Sequence, residues 1–182
     1  MARLTQIDPT TSNGKAQELL GAVKASMGIV PNMTRAMANS PAVLGGYLGL
    51  AGALASGSLD AQLREKLALV IAESNGCDYC LAAHSAIGGM VKISDEDIQL
   101  SRQGLSNDAR TQAALGFAKE VLATRGHIDD LDLTIIQHAG FTEGEIGEIV
   151  AHVALNVFTN YFNSVAQTDI DFPVAPKLTV SA

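Results

Sequence analysis

Apolar residues recur at helical spacing along nearly the whole chain, and this periodicity constrains the fold more than any other feature. The segment after Asp60 shows it well, because Leu63, Leu67, Val70 and Ile71 repeat on one side of a helix. No convincing run of alternating β-branched residues appears away from the two ends of the chain. The sequence therefore predicts an all-α fold.

Capping residues predict where several helices begin and end. Three pairs combine a side-chain acceptor with an acid three residues later: Ser94 with Asp97, Asp129 with Asp132, and Thr142 with Glu145. Asn75 is expected to cap a new helix that begins with Cys77 and runs to about Gly88. The segment 31–39 is predicted to be a turn.

The chain of 182 residues suits a single domain spanning 1–182, since it contains no internal repeat, low-complexity segment or dividing linker. The last helix is expected from about Thr142 to Gln167. A proline-bearing arm, about 171–182, follows it and should lie extended on the surface or on a neighbour.

No charged residue occurs from Ala36 to Leu59. The unbroken apolar part, Pro41 to Ala55, falls short of the roughly 20 residues that a membrane span requires. Its glycines favour close helix packing, so the sequence predicts a buried helix there and no membrane partner.

Charge and targeting signals narrow the class of protein further. With 12 Lys and Arg against 19 Asp and Glu, the net charge of -7 disfavours nucleic acids and anionic membranes as partners. The first nine residues lack the apolar core of a secretory signal, which predicts a cytoplasmic location where thiols stay reduced.

Both cysteines of the chain lie in one short segment. Cys77, Cys80 and His84 stand at i, i+3 and i+7, so a helix presents all three on one face. A thiol near a helix N-terminus is favoured as thiolate, and a neighbouring imidazole can accept or return a proton. Two cysteines at this spacing can also bridge, so one can attack and the other resolve.

Three alternatives compete with this redox interpretation. The cysteines could be inert buried side chains beside a core histidine. They could bind zinc, although His127, His138 and His152 show no close metal-ligand spacing for completing the site. A thioredoxin fold would need strands around the cysteine pair, and this sequence predicts helices.

The segment resembles the core motif of the alkylhydroperoxidase D-like (AhpD-like) proteins of the carboxymuconolactone decarboxylase family. That motif is Glu, eleven residues, Cys, two residues, Cys, three residues, His, and its positions fall on Glu65, Cys77, Cys80 and His84. The segments 28–33, 39–42 and 140–143 are similar to flanking parts of the longer, peroxidase-related members. The resemblance thus covers most of the chain.

The resemblance implies an AhpD-like helical bundle that forms homo-oligomers, often trimers or hexamers, and that reduces hydroperoxides. Cys80 would attack the peroxide, Cys77 would resolve the sulfenic acid, and Glu65 and His84 would relay protons. It implies no bound cofactor beyond a redox-active disulfide between Cys77 and Cys80. The reductant would be a thiol, which in related proteins can be a lipoyl group on another protein.

Two positions leave open which residues would relay protons. Tyr79 stands where the best-studied members carry a second histidine, which puts the efficiency of peroxide reduction in question. Glu73 would sit one turn before Cys77 if the helix were continuous, so it is a possible second acid. The motif spacing favours Glu65.

Two further functions and one further group of residues remain open. A lactone decarboxylase of the same family would not need the cysteines, and a non-enzymatic module would use them for metal binding or packing. A polar stripe on the last helix could line a pocket or an interface, but a solvated face explains it more simply: His152, Asn156, Asn160 and Asn163.

Overall fold

The structure is a computed structural model that describes residues 2–178, and this part of the chain forms nine helices and no strand. The helices are α1 (Gly14–Met27), α2 (Asn32–Met37), α3 (Pro41–Ala55), α4 (Ala61–Ser74), α5 (Asp78–Met90), α6 (Asp95–Gln103), α7 (Ala109–Thr124), α8 (Asp130–His138) and α9 (Glu143–Ala166). The all-α prediction is confirmed.

Helix α4 occupies the centre of the bundle, where it contacts α5, α6, α7 and α9. It begins at Asp60, whose side chain accepts the backbone N–H of Leu63 at 2.8 Å. Leu67, Val70 and Ile71 are fully buried, as their spacing predicts. A helix surrounded on so many sides must bury most of its circumference, which explains its dense apolar sequence.

Two hydrophobic clusters form the core. The apolar cluster joins α4 to α7, α8 and α9 through Leu, Ile, Val, Phe and Ala side chains, among them Leu67, Leu115 and Ile149. The sulfur cluster joins α1, α2 and α3 to α4 and α5, and it contains both cysteines, Met33, Met37 and Tyr79.

The capping residues mark the helix starts as predicted. The side chains of Ser94, Asp129 and Thr142 each accept a backbone N–H from the first turn of the helix that follows. At Thr142 the bond is reciprocal, because the Glu145 carboxylate also accepts the Thr142 backbone N–H at 2.8 Å. Local side-chain chemistry is sufficient to place these three boundaries.

Two local predictions were wrong. The segment 31–39 contains the helix α2, whose first N–H, from Asn32, is accepted by the Asp171 carboxylate at 2.7 Å. Asn75 ends α4 instead of capping α5, because its amide donates to Asn160 of α9 at 2.9 Å. Both differences arise from partners that are distant along the chain.

The uncharged helix α3 is less buried than predicted. Only Leu44 and Leu54 are fully enclosed, while most of its glycines and alanines lie partly or fully exposed. Within residues 2–178, none of the helices has both the length and the apolar character needed to cross a bilayer.

Residues 171–178 of the carboxyl-terminal arm form neither helix nor strand and lie on this chain itself. Phe172 packs edge-on against Tyr79 with ring centroids 5.9 Å apart. Arg102 donates from Nη1 to the Pro176 carbonyl at 2.6 Å. The rest of the predicted arm, 179–182, lies outside the described residues.

Candidate active site

The cysteine pair forms the start of α5. Cys77 is the N-cap residue, and its Sγ accepts the backbone N–H of Cys80 at 3.3 Å. Gly76, with φ of 63°, makes the sharp turn that separates α4 from this cap. The two sulfurs are joined in a disulfide across a Cα–Cα distance of 5.3 Å, so the structure holds the oxidised pair.

A cavity of about 250 Å³ lies beside this helix start. Cys80, His84, Glu65 and Tyr79 line it, whereas Cys77 and Glu73 are not among its lining residues. Most of the remaining wall is apolar, and its apolar residues include Met27, Met33, Tyr47, Ile87, Leu155 and Phe172. Of the two cysteines, Cys80 is the one that lines the cavity.

Glu65 and His84 form a hydrogen-bonded pair at the wall of this cavity. The Glu65 Oε2 atom of α4 lies 2.7 Å from Nδ1 of His84 on α5. Their side chains are 18% and 23% exposed, so the pair is shielded yet reachable from solvent. Because Nδ1 is bound to the carboxylate, Nε2 is the ring atom that remains for proton exchange in the cavity.

Glu73 serves a different part of the fold. Its Oε2 accepts from Nε of Arg102 at 2.7 Å, and the Arg102 side chain is almost completely buried. This ion pair, together with the bond from Arg102 to Pro176, fastens α6 and the arm to the end of α4. The structure thus brings Glu65, and not Glu73, to the cavity.

Tyr79 lies between the two cysteines, and its hydroxyl accepts the backbone N–H of Met33 at 3.1 Å. Burial raises the pKa of Tyr79 strongly, so the phenol stays protonated at neutral pH. It positions α2 and Phe172 around the cavity and supplies no group that titrates near neutral pH.

The polar stripe of α9 is buried, so the simpler expectation of a solvated face was wrong. His152, Asn156 and Asn163 line the cavity, and Asn160 binds Asn75. Helical spacing placed these polar residues on one face of α9. The rest of the helix surface is largely apolar and includes exposed side chains such as Tyr161. The sequence therefore gave no signal of which face points inward.

Two members of the stripe extend the chemistry of the site beyond the predicted residues. The amide nitrogen of Asn163 lies 3.4 Å from Sγ of Cys80 and 3.2 Å from Sδ of Met33. His152 is buried near Arg64, and both the burial and that cation lower the pKa of its imidazole. His152 is therefore neutral at pH 7.

The described part of the chain contains no cluster of three or more His, Cys, Asp or Glu side chains that could hold a metal ion. The sulfurs that a metal would use are bonded to each other.

Comparison with known proteins agrees with the motif and the fold. Residues 41–120 match the model of the carboxymuconolactone decarboxylase family. No curated protein sequence matches the chain. A peroxidase-related protein from Ralstonia eutropha JMP134, described as an alkylhydroperoxidase AhpD core, is 20% identical with a TM-score of 0.83, covering 93% of this chain and 92% of that one.

Two further solved structures have the same fold. A peroxidase-related protein from Silicibacter sp. TM1040 is 25% identical with a TM-score of 0.74, and the match covers 92% of each chain. A cysteine-to-alanine variant of the debrominase Bmp8, in complex with 2,3,4-tribromopyrrole, is 18% identical with a TM-score of 0.80, covering 93% of this chain and 91% of that one.

Proposed function

Residues 41–120 of this chain belong to the carboxymuconolactone decarboxylase family, on an AhpD-like fold, and from that premise we propose that the protein is a thiol-dependent hydroperoxide reductase. One observation carries the proposal: Cys80, bonded to Cys77, shares a cavity with the Glu65–His84 pair. A redox-active sulfur and a proton carrier are the two components that peroxide reduction by thiols requires.

The reaction starts from the reduced pair. The Cys80 thiolate attacks the outer oxygen of the hydroperoxide, so an S–O bond forms, the O–O bond breaks, and the alkoxide leaves as alcohol after taking a proton. Cys77 then attacks the Cys80 sulfenic acid, an S–S bond forms, and the oxygen leaves as water. Two thiols lose two electrons, and the hydroperoxide gains them.

His84 handles the proton in this scheme. Its Nε2 atom removes the proton of the Cys80 thiol and returns it to the departing alkoxide, while Glu65 holds the ring through Nδ1. Cys80 and His84 are four residues apart on α5, which places their side chains on neighbouring turns of one face. Tyr79 adds no second proton carrier, so a single imidazole serves both transfers.

A reducing thiol must then restore the pair, and we propose that it enters through the same cavity. Met27 and Ala55 line the cavity and are themselves exposed, so it opens to solvent near the ends of α1 and α3. A small dithiol or a lipoyl group on another protein is slender enough for such an opening. Attack on the Cys80 sulfur would release Cys77 as thiolate, stabilised by its place at the helix cap.

Assembly of several copies is part of the proposal. The exposed surface of α9 carries large apolar side chains, Val150, Phe158, Tyr161 and Val165, and α3 presents an uncharged outer face. Such surfaces favour association of subunits. We expect a homo-oligomer, a trimer or hexamer, to be the working form.

The test adds one equivalent of an organic hydroperoxide to the fully reduced protein and measures thiols, disulfide and alcohol by mass spectrometry and chromatography. We expect one Cys77–Cys80 disulfide and one alcohol per chain. Cys77→Ser should give a Cys80 sulfenic acid without an internal disulfide. Thiols that survive excess hydroperoxide, or decarboxylation of carboxymuconolactone retained by the Cys77→Ser, Cys80→Ser double variant, would contradict the proposal.

A second candidate function is reductive removal of bromine from a small aromatic compound. The cavity is far larger than hydrogen peroxide needs, and its wall includes Tyr47, Tyr79 and Phe172. The two thiols would supply two electrons, so an aryl bromide and two thiols would give the arene, bromide, a proton and the disulfide. Bromide release from 2,3,4-tribromopyrrole by the reduced protein, with no consumption of hydroperoxide, would favour this reaction over the first.

A further inference from the structure

Asn163 is a buried amide placed against two sulfur atoms. Its side chain is only 4% exposed, and Nδ2 lies within hydrogen-bonding distance of Sγ of Cys80 and Sδ of Met33. The nitrogen carries two hydrogens, so both contacts can be made at once. The opposite amide orientation would place a carbonyl oxygen against two sulfurs that carry no hydrogen, which leaves the nitrogen as the atom that faces them.

Burial of this amide is costly in the oxidised protein. Thioether and disulfide sulfurs are weak acceptors, and Oδ1 of Asn163 is buried without a hydrogen-bond partner within residues 2–178. Burying an incompletely bonded polar group lowers the stability of the folded state. An apolar side chain would pack at this position at lower cost, so the amide must be useful in another state of the protein.

That state is the reduced one. We propose that Asn163 is a catalytic residue whose amide donates a hydrogen bond to the Cys80 thiolate and thereby selects Cys80 as the attacking sulfur. The proposal rests on the proposed function for its biological meaning, but it concerns thiol ionisation, which is measured without any peroxide. A negatively charged sulfur is a much stronger acceptor than a disulfide sulfur, so reduction strengthens this bond.

Selection is needed because the helix itself favours the other cysteine. Cys77 is the cap of α5 and receives a backbone N–H, so the positive end of the helix stabilises its thiolate first. Cys77 does not line the cavity, whereas Cys80 does. A donor from α9, 83 residues away along the chain, reaches Cys80 and offsets the advantage of the cap.

The test measures the reactivity of each thiol separately. Cys77→Ser leaves Cys80 as the only thiol, and Cys80→Ser leaves Cys77. In each background, the rate of alkylation by iodoacetamide is followed from about pH 5 to pH 10, with and without Asn163→Leu. We expect Asn163→Leu to slow alkylation of Cys80 at pH 7 about three- to tenfold and to move its pH midpoint upward. Cys77 should change less than about twofold.

Three further variants test whether the hydrogen-bond donor itself causes the change in alkylation rate. Asn163→Asp keeps the size of the side chain but replaces the donor by a negative charge, so it should slow Cys80 more than Asn163→Leu does. Asn163→Gln keeps a donor and should restore part of the rate. Asn160→Ala removes a buried amide from the same helix that does not contact sulfur, and it should leave the Cys80 midpoint unchanged.

The possible outcomes test the role of Asn163 separately from the proposed hydroperoxide reductase function. An unchanged Cys80 midpoint in both Asn163→Leu and Asn163→Asp would overturn that role, as would equal shifts at Cys77 and Cys80 or an equal shift in Asn160→Ala. If Asn163→Leu does not fold, the comparison of Asn163→Gln with Asn163→Asp decides, because only the variant that keeps a donor should restore part of the rate. A selective shift in a protein that consumes no hydroperoxide would uphold the role of Asn163 and reject the proposed function.

Discussion

The two halves of helix α9 lie in contrasting surroundings. Near its start, Ile146 and Ile149 enter the apolar cluster, where hydrocarbon meets hydrocarbon. Farther along, Asn156 and Asn163 face the cavity and the sulfur cluster, and buried polar atoms there remain without partners. The first half stabilises the fold through apolar contacts, whereas the second half buries polar groups that lower its stability. The difference indicates that chemistry, and not packing, determined the residues of the second half.

The largest expected effect disturbs only the surroundings of the second half of α9. Cys80→Ser removes the sulfur of the cysteine that lines the cavity, so hydroperoxide consumption with a dithiol reductant should be abolished. The apolar cluster is untouched, so the variant should stay folded in thermal melts compared with wild-type protein under reducing conditions. Substantial remaining turnover would assign the attack to Cys77.

The next effect disturbs only the surroundings of the first half of α9. Leu115→Ala empties space at a fully buried position of the apolar cluster and should cost about 3 kcal/mol of the free energy of unfolding. Urea denaturation measures this loss. At urea concentrations below the unfolding midpoint, Cys80 of this variant should be alkylated at the wild-type rate. A fall in that rate together with the loss of stability would mean that the two regions are coupled.

A matched pair of acids at opposite ends of α4 sharpens the comparison. Glu65→Gln removes the carboxylate that orients His84, and it should slow hydroperoxide reduction by about tenfold or more. Glu73→Gln weakens only the ion pair with Arg102, so turnover should change little while stability falls modestly. Stopped-flow measurement of thiol oxidation compares the two, and equal rates would remove Glu65 from the proton relay.

The smallest effect concerns pH. The folded protein holds the pKa of His152 below its ordinary value of 6.5, so the unfolded chain takes up the proton first as pH falls. Stability contributed by neutral His152 is complete well above pH 6.5 and is lost on acidification below it. His152→Gln should lose less stability than wild type between about pH 7.5 and 5.5, by an amount on the order of 1 kcal/mol or less. Identical losses in urea melts at the two pH values would contradict this.

Much of the fold follows from local rules in the sequence. Helical periodicity and capping residues predicted the long helices, because the residues that decide a boundary lie within one turn of it, as at Ser94 and Thr142. The failures at α2 and Asn75 share one cause. Their partners, Asp171 and Asn160, lie far along the chain, and no local pattern reveals them.

Some residues of the candidate site could be predicted because they belong to a motif of fixed spacing. The spacing of Glu65, Cys77, Cys80 and His84 identified the residues on α4 and α5, and the structure brings Glu65, Cys80 and His84 to one cavity. Asn163 and His152 were not assigned to it, because a polar stripe has the same period whether it faces water or a cavity. Only the packing of α9 against α3, α4 and α5 distinguishes the two cases.

The position of Phe172 has a consequence for the size of the cavity. The ring lies beyond the end of α9, packs against Tyr79 and forms part of the cavity wall. An arm that detached from the bundle would widen the cavity without breaking a helix. The dimensions of the cavity therefore depend on a segment outside the helical bundle.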